Sequence, residues 1–117
     1  ALQKWSRRIV SWWLDDGFDL LLTPTLAEPP PLLGDIGGQA DGGGNSAARS
    51  LPFAAYPAPF NVTGQPAMSV PLSWSETGLP IGVQLVAAPF REDLLIRVAA
   101  QLEQARPWAE RRPPVHA

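Results

Sequence analysis

Two stretches of the chain place apolar residues at the spacing of an amphipathic helix. The first covers residues 2–16, and its i, i+3, i+7 and i+10 positions are Leu2, Trp5, Ile9 and Trp12. Gly17 follows it in a position suited to a left-handed cap. The second covers residues 92–106, with apolar positions at Leu95, Val98, Ala99 and Leu102. Pro107 forbids its continuation.

Three shorter apolar runs predict strands, at residues 18–23, 67–72 and 80–87. The polar turn between the last two contains Gly78, so this pair predicts a β-hairpin with a longer loop. Pro71 should lie at a sheet edge or a bulge, because it cannot donate to the strand ladder. The whole chain then runs helix, strand, long loop, hairpin, helix.

The strands are apolar on both alternating faces, with Ser69 and Gln84 as the exceptions. Strands of this kind belong in a sheet that is covered on both sides, and two helices cover only part of that area. We therefore expect the chain to contact more protein, through the Trp5–Trp12 face or an open sheet edge. Gly82, inside the third strand, indicates close approach of another backbone or side chain.

Proline and glycine dominate the segment between the first strand and the hairpin. Residues 24–52 contain a Pro29–Pro31 run and the glycines of 42–44, which predict a long, mobile loop without a helix. The 42–46 run lacks the lysine and preceding strand of a phosphate loop. Residues 53–66 predict a shaped, rigid loop, and 107–117 an extended surface tail.

Composition narrows the class of protein. Charged residues make up 17% of the 117 residues, below the usual quarter, which favours a piece of something larger. The net charge of −2 and a single lysine, Lys4, argue against nucleic acid and against a polybasic membrane patch. No apolar run approaches the ~20 residues that span a bilayer. The absence of cysteine excludes disulfides and thiolate sites, and is compatible with a cytoplasmic protein.

The residues do not assemble a catalytic group. A Ser–His–Asp triad needs a histidine, and the single one, His116, lies in the proline-rich tail. The adjacent carboxylates of Asp15-Asp16 and Glu92-Asp93 diverge on a helix, so neither forms an acid–base pair by spacing. We predict no catalytic residue, no metal site and no cofactor in this segment.

Four motifs, in order, resemble those of the amidase signature family. Residues 19–25 (DLLLTPT) are similar to its D-hydrophobic-TPT strand. Residues 60–71 (FNVTGQPAMSVP) resemble its N-x-T/S-G-x-P-A-x-S-x-P segment, and 78–85 (GLPIGVQL) its GLPIGVQ strand. Residues 91–95 with 101–103 resemble its closing helix. Together the motifs span nearly the whole chain.

The resemblance implies an α/β fold, in which this chain is the C-terminal part of an amidase domain with a mixed β-sheet flanked by helices. The family hydrolyses amide bonds through an acyl-enzyme, using a Ser–cis-Ser–Lys triad upstream of these motifs. The chain alone should then be inactive, and should supply strands and part of the pocket wall. Its partner would be the upstream catalytic portion or a second copy, and the substrate a small-molecule amide.

The best pocket candidates lie in the loop around the second motif. Its aromatic side chains can form an apolar wall and its polar groups can fix the backbone; the candidates are Phe53, Tyr56, Phe60, Asn61, Thr63 and Gly64. The alternative is a loop packed for rigidity alone. For the whole chain, the alternatives are a non-catalytic binding or assembly module, or the matching piece of a glutamyl-tRNA amidotransferase A-type subunit.

Overall fold

A computed structural model describes residues 1–36 and 46–115, which form four helices and three strands. In chain order the elements are α1 (Leu2–Leu14), β1 (Leu20–Pro24), α2 (Ser46–Ala54), α3 (Ala58–Thr63), β2 (Ala67–Trp74), β3 (Pro80–Ala87) and α4 (Glu92–Ala105). Both terminal helices, all three strands and the β2–β3 hairpin were predicted. The predictions for His116 and for the glycine-rich run at 42–46 concern residues that lie mostly outside the described ranges; of these, only residue 46 is described.

The three strands form one sheet in the order β1-β3-β2, and each neighbouring pair is antiparallel. β3 is central, so its residues are flanked on both sides; Gln84 lies opposite Thr23 of β1 and Ser69 of β2. The register of β2 shifts between Pro71 and Ser73. Because proline cannot donate to the ladder, this irregularity falls where the sequence predicted an edge or a bulge.

One face of the sheet packs against α4. Its buried cluster consists of Val70, Leu85, Ala87 and Leu95. The helix side of this contact is the predicted stripe, in which Leu95 is buried while Val98, Ala99 and Leu102 pack around the cluster. Glu92 and Asp93 occupy the first turn of α4, where carboxylates favour the helix dipole.

The opposite face is covered by α1 and α3 around Trp13, Phe60 and Val86. Trp13, which is not part of the predicted stripe, is 5% exposed, whereas Trp5 is 41% exposed. Ile9 and Trp12 do pack on this cluster. The C-terminal half of α1 therefore lies on the sheet, and its N-terminal half extends beyond it.

Two further helices occupy regions that were predicted to be irregular. The prediction of a loop over 24–52 without a helix is wrong from Ser46 onward, and the 53–66 loop contains α3. Alanine-rich residues favour α2 in spite of Pro52, which lies in its second half. In α3, Pro59 lies in the first turn, where its fixed φ suits a helix and no donor is lost. Nothing in the described ranges, 1–36 and 46–115, forms a helix long and apolar enough to cross a membrane.

Candidate functional site

A row of polar side chains crosses the sheet on the face that α3 covers. Thr23, Gln84 and Ser69 lie directly opposite one another on β1, β3 and β2. Directly opposed residues of antiparallel strands project to the same face, so the three side chains form a continuous polar row. Because the strands are otherwise apolar, this row is the main interruption in the hydrophobic surface of the sheet.

Gln84 is held by two hydrogen bonds. Its side chain is 4% exposed, and its Nε2 donates to Thr23 Oγ1 at 3.1 Å and to the carbonyl of Tyr56 at 3.3 Å. Two acceptors on one amide nitrogen fix which end of the amide is the donor. The same bonds tie the α2–α3 connection to the centre of the sheet.

Ser69, on β2, is hydrogen-bonded to a residue on the β1 side of the central strand β3. Its Oγ lies 2.6 Å from Oγ1 of Thr25, and the pair spans Gly82. A Cβ at Gly82 would lie 2.6 Å from Ser69 Oγ and 2.7 Å from Thr25 Oγ1. The predicted close approach at Gly82 is thus confirmed, and it is made by two side-chain hydroxyls.

Gln65, just after α3, anchors the end of that helix. It is 6% exposed, and its Nε2 donates to the carbonyl of Ala87 at 2.9 Å. Its Oε1 has no hydrogen-bond partner within 1–36 and 46–115, and neither does Nε1 of the buried Trp13. A buried polar atom left unpaired costs about 1–3 kcal/mol.

These groups surround a cavity of about 280 Å³ between α3 and the sheet, which we call the polar cavity. Its lining residues are Pro57, Phe60, Asn61, Gln65, Ala67, Met68, Ser69 and Gln84. Four of the eight carry an amide or a hydroxyl and none is ionisable. Such a cavity can hydrogen-bond a neutral polar group, and it offers no acid or base for proton transfer.

Two of the six predicted pocket residues, Phe60 and Asn61, line the polar cavity. Phe60 is 8% exposed and meets Trp13 edge-on, with 6.4 Å between ring centroids, so it is a core residue as well. Asn61 is exposed at the rim.

The other four candidates do not line the polar cavity. Phe53 lies beneath the guanidinium of Arg49, 5.3 Å from the ring centroid, and Tyr56 reaches the site through its carbonyl. Thr63 donates to the carbonyl of Phe60 at 3.4 Å, within α3. Gly64 caps α3 in the left-handed conformation, with φ of 71°, so its role is in the backbone.

The sequence did not point to Gln65, Ser69 and Gln84 as site residues. A signal existed for two of them, because Ser69 and Gln84 are the polar exceptions in strands that are otherwise apolar. Gln84 is buried and Ser69 is exposed, so the stronger signal is Gln84. A buried polar side chain needs hydrogen-bond partners and marks a place where other elements must come close.

The ionic groups lie elsewhere. Arg91 Nε donates to Asp93 Oδ1 at 2.9 Å at the start of α4. This hydrogen bond lowers the pKa of the Asp93 carboxyl and raises the pKa of the Arg91 guanidinium. Within residues 1–36 and 46–115, no group of three or more His, Cys, Asp or Glu residues is placed to hold a metal ion.

A second concave surface lies between α1, α2 and α3, and we call it the helix groove. Its volume is about 640 Å³, and its lining residues are Ala1, Leu2, Trp5, Leu51, Ala54, Ala55, Ala58, Pro59 and Val62. All nine side chains are apolar, in contrast to the polar cavity. The two surfaces lie on either side of α3, since Phe60 and Asn61 line one and Val62 the other.

Comparison with known proteins identifies the family. The profile of the amidase family matches residues 2–96, well over half of the chain. The chain belongs to the amidase family. The resemblance seen in the four motifs is therefore confirmed, and the polar cavity lies within the matched region.

Among curated relatives, this chain is 45% identical over 117 residues to the 6-aminohexanoate-cyclic-dimer hydrolase of Paenarthrobacter ureafaciens. The alignment covers 96% of this chain and 24% of that enzyme. This chain thus spans about a quarter of the length of that relative.

Solved structures show the same α/β fold. A structure of 6-aminohexanoate cyclic dimer hydrolase matches with a TM-score of 0.84 at 45% identity, over 97% of this chain and 24% of that one. The A-type subunit of the glutamyl-tRNA(Gln) amidotransferase of Thermotoga maritima matches with a TM-score of 0.68 at 28% identity, over 88% of this chain and 21% of that one. The expected arrangement of a sheet flanked by helices is confirmed.

Proposed function

We propose that this chain is the C-terminal segment of an enzyme that hydrolyses amide bonds through an acyl-enzyme. The observation that carries the proposal is the match of residues 2–96 to the amidase family, in a chain a quarter as long as its relative. The single lysine, Lys4, is exposed on α1 and cannot complete a triad with the residues around it. The Ser–cis-Ser–Lys triad then belongs to the part of the protein outside these 117 residues.

The role of this segment is to supply three strands of the sheet and part of the substrate-pocket wall. The polar cavity supports that role, because its amides and hydroxyl can donate hydrogen bonds to, and accept them from, a neutral amide. Phe60 and Asn61, which the sequence predicted as pocket residues, line this cavity. We propose Gln84 and Ser69 as two further residues of the pocket wall. Phe53, Tyr56, Thr63 and Gly64 act through the backbone and packing that hold this wall in place.

The partner of the segment is the remaining portion of the same polypeptide. Support comes from the length of the chain, which covers 24% of the cyclic dimer hydrolase that it matches. The substrate is a small amide, and neither a nucleic acid nor a membrane takes part. The location of the enzyme is the cytoplasm.

The second candidate function is that of an amidotransferase A-type subunit, which the Thermotoga structure favours. Its TM-score and identity are lower than those of the cyclic dimer hydrolase, so hydrolysis is the stronger candidate.

The test compares the isolated 117-residue chain with the full-length protein against linear and cyclic amides. We expect turnover by the full-length protein alone. Ammonia transfer to a glutamyl-tRNA acceptor, without hydrolysis of small amides, would favour the amidotransferase. Turnover by the isolated chain that survives repurification and titrates with active sites would overturn the proposal.

A further inference from the structure

Gln84 presents one unpaired hydrogen-bonding atom to the polar cavity. Its side chain lines the cavity although the residue is only 4% exposed. Its Nε2 carries two protons, and Thr23 Oγ1 and the carbonyl of Tyr56 each accept one of them. Its Oε1 receives no hydrogen bond from the described part of the chain, and unlike Gln65 Oε1 it is not fully enclosed. The atom that Gln84 leaves to a bound molecule is therefore an acceptor.

The position of Gln84 makes this acceptor a fixed one. It lies on β3, the central strand, whose backbone is paired on both sides with β1 and β2. The two hydrogen bonds from Nε2 hold the plane of the amide, and turning the amide over would set its oxygen against the carbonyl of Tyr56. An acceptor that cannot reorient discriminates between molecules that supply a donor and molecules that do not.

The other lining residues of the polar cavity favour a neutral donor. None of the eight is ionisable, so a charged group in the cavity would lose hydration without gaining a counter-charge. Phe60 and Met68 supply apolar surface, while Asn61 and Ser69 supply polar groups at exposed positions. The N–H of an uncharged amide meets both conditions, because it donates to one acceptor and carries no charge.

We propose that Gln84 Oε1 accepts a hydrogen bond from an N–H group of the bound amide, and that Gln84 thereby determines which amides bind. Amides that keep an N–H are favoured over N-alkylated amides and over esters, which have no donor at that place. The inference rests on the proposed function, in which the polar cavity is part of the substrate pocket. A molecule without the N–H also leaves Oε1 unpaired beneath it, and this adds to the discrimination.

Binding of two matched lactams to the full-length protein tests the inference. Valerolactam has an N–H, whereas N-methylvalerolactam has a methyl group in its place. Dissociation constants are measured by ligand-observed NMR titration. We expect valerolactam to bind about three- to tenfold more tightly, which is the ratio that one neutral hydrogen bond gives. Equal binding of the two lactams to the wild-type protein, or binding of neither, would overturn the inference.

Two variants separate hydrogen bonding from packing. Gln84→Met keeps the length of the side chain and removes the acceptor, so the ratio of the two dissociation constants should fall to about one. Thr23→Val removes one of the bonds that hold the amide and leaves Oε1 in place, so the ratio should stay within about twofold of the wild-type value. A ratio that persists in Gln84→Met, or that falls equally in Thr23→Val, contradicts the role of Oε1. Where Gln84→Met does not fold, the wild-type ratio and that of Thr23→Val decide the question.

Binding is measured without turnover, so this inference and the proposed function fail separately. A ratio that depends on Gln84 in a protein that hydrolyses no amide would retain the acceptor site and refute the amidase function. Hydrolysis of amides by a protein whose ratio is the same in wild type and in Gln84→Met would retain the amidase function and refute the role of Gln84.

Discussion

Thr25 Oγ1 and Ser69 Oγ lie 2.6 Å apart and join β2 to the residue that follows β1, across the central strand. The contact passes over Gly82, whose missing side chain leaves the space that the two hydroxyls occupy. A single glycine therefore permits β1 and β2 to be linked on the face of the sheet that carries the polar cavity.

Gly82→Ala should destabilise the protein by about 1–3 kcal/mol, because its methyl group would overlap both hydroxyls. The measurement is the free energy of unfolding of the full-length protein in urea. Ser69→Ala removes one of the two overlapping atoms, so the double variant should lose less than the sum of the single ones. Strict additivity would show that the glycine is needed for another reason.

Gln84→Leu should lower the free energy of unfolding by about 1–3 kcal/mol, because the carbonyl of Tyr56 and the hydroxyl of Thr23 each lose a donor in a partly buried place. The matched control is Gln101→Leu on the exposed side of α4. We expect Gln101→Leu to change stability by less than about 0.5 kcal/mol. Equal effects of the two substitutions would contradict the role assigned to Gln84.

Gly64→Ala should cost about 1 kcal/mol, because the residue adopts a left-handed conformation with φ of 71°. A Cβ at this position would meet nothing within 4 Å, so the cost is conformational and not steric. Gly64→Asn should cost less, since asparagine tolerates this conformation better than alanine. Thermal unfolding of the three proteins gives the order, and a smaller loss for alanine than for asparagine would refute the explanation.

Asp93 should titrate below the ordinary range of an aspartate, because Arg91 hydrogen-bonds its carboxylate. The lowered pKa means that this contact stabilises the folded state above the pKa of the unfolded chain, and that the contribution is lost as the pH falls through the folded value. Carboxyl chemical shifts measured by NMR against pH give the value directly.

Arg91→Gln should raise the pKa of Asp93 toward its usual range. Arg97→Gln should raise it less, because Arg97 Nη2 is 3.6 Å from the carboxylate and contributes through charge alone. A larger shift from Arg97→Gln would show that charge, and not the hydrogen bond with Arg91, sets the titration.

Periodicity predicted the sheet, the hairpin and α4, because their apolar residues repeat over several turns or alternations. It also predicted α1 and its apolar residues Trp5 and Trp12, but it did not show which tryptophan packs on the sheet. Trp5 and Trp13 are both compatible with an apolar face, and the choice between them depends on where the helix crosses the sheet. That crossing is set by tertiary contacts that no local pattern records.

The polar cavity was predicted only in part for a similar reason. Phe60 and Asn61 belong to a recognisable motif, but the partner of Gln84 is a main-chain carbonyl, which carries no sequence signal. Tyr56 and Gln84 are far apart in the chain, so their contact exists only once α3 lies on the sheet. α3 was missed because its proline was interpreted as a helix breaker, although a first-turn proline is tolerated. α2 was missed because it contains Pro52, which lies in the second half of that helix.

The position of β3 between β2 and β1 gives the chain a defined order of assembly. β2 and β3 are joined by a short turn. β1 pairs with the other edge of β3, and residues 25–79 form the loop that this pairing closes. Closing a long loop is slow, so the hairpin should form before β1 docks. Yet each doubling of that segment costs only about 0.6 kcal/mol. Insertions after Pro24 could therefore reshape the surroundings of the polar cavity while the three strands keep their pairing.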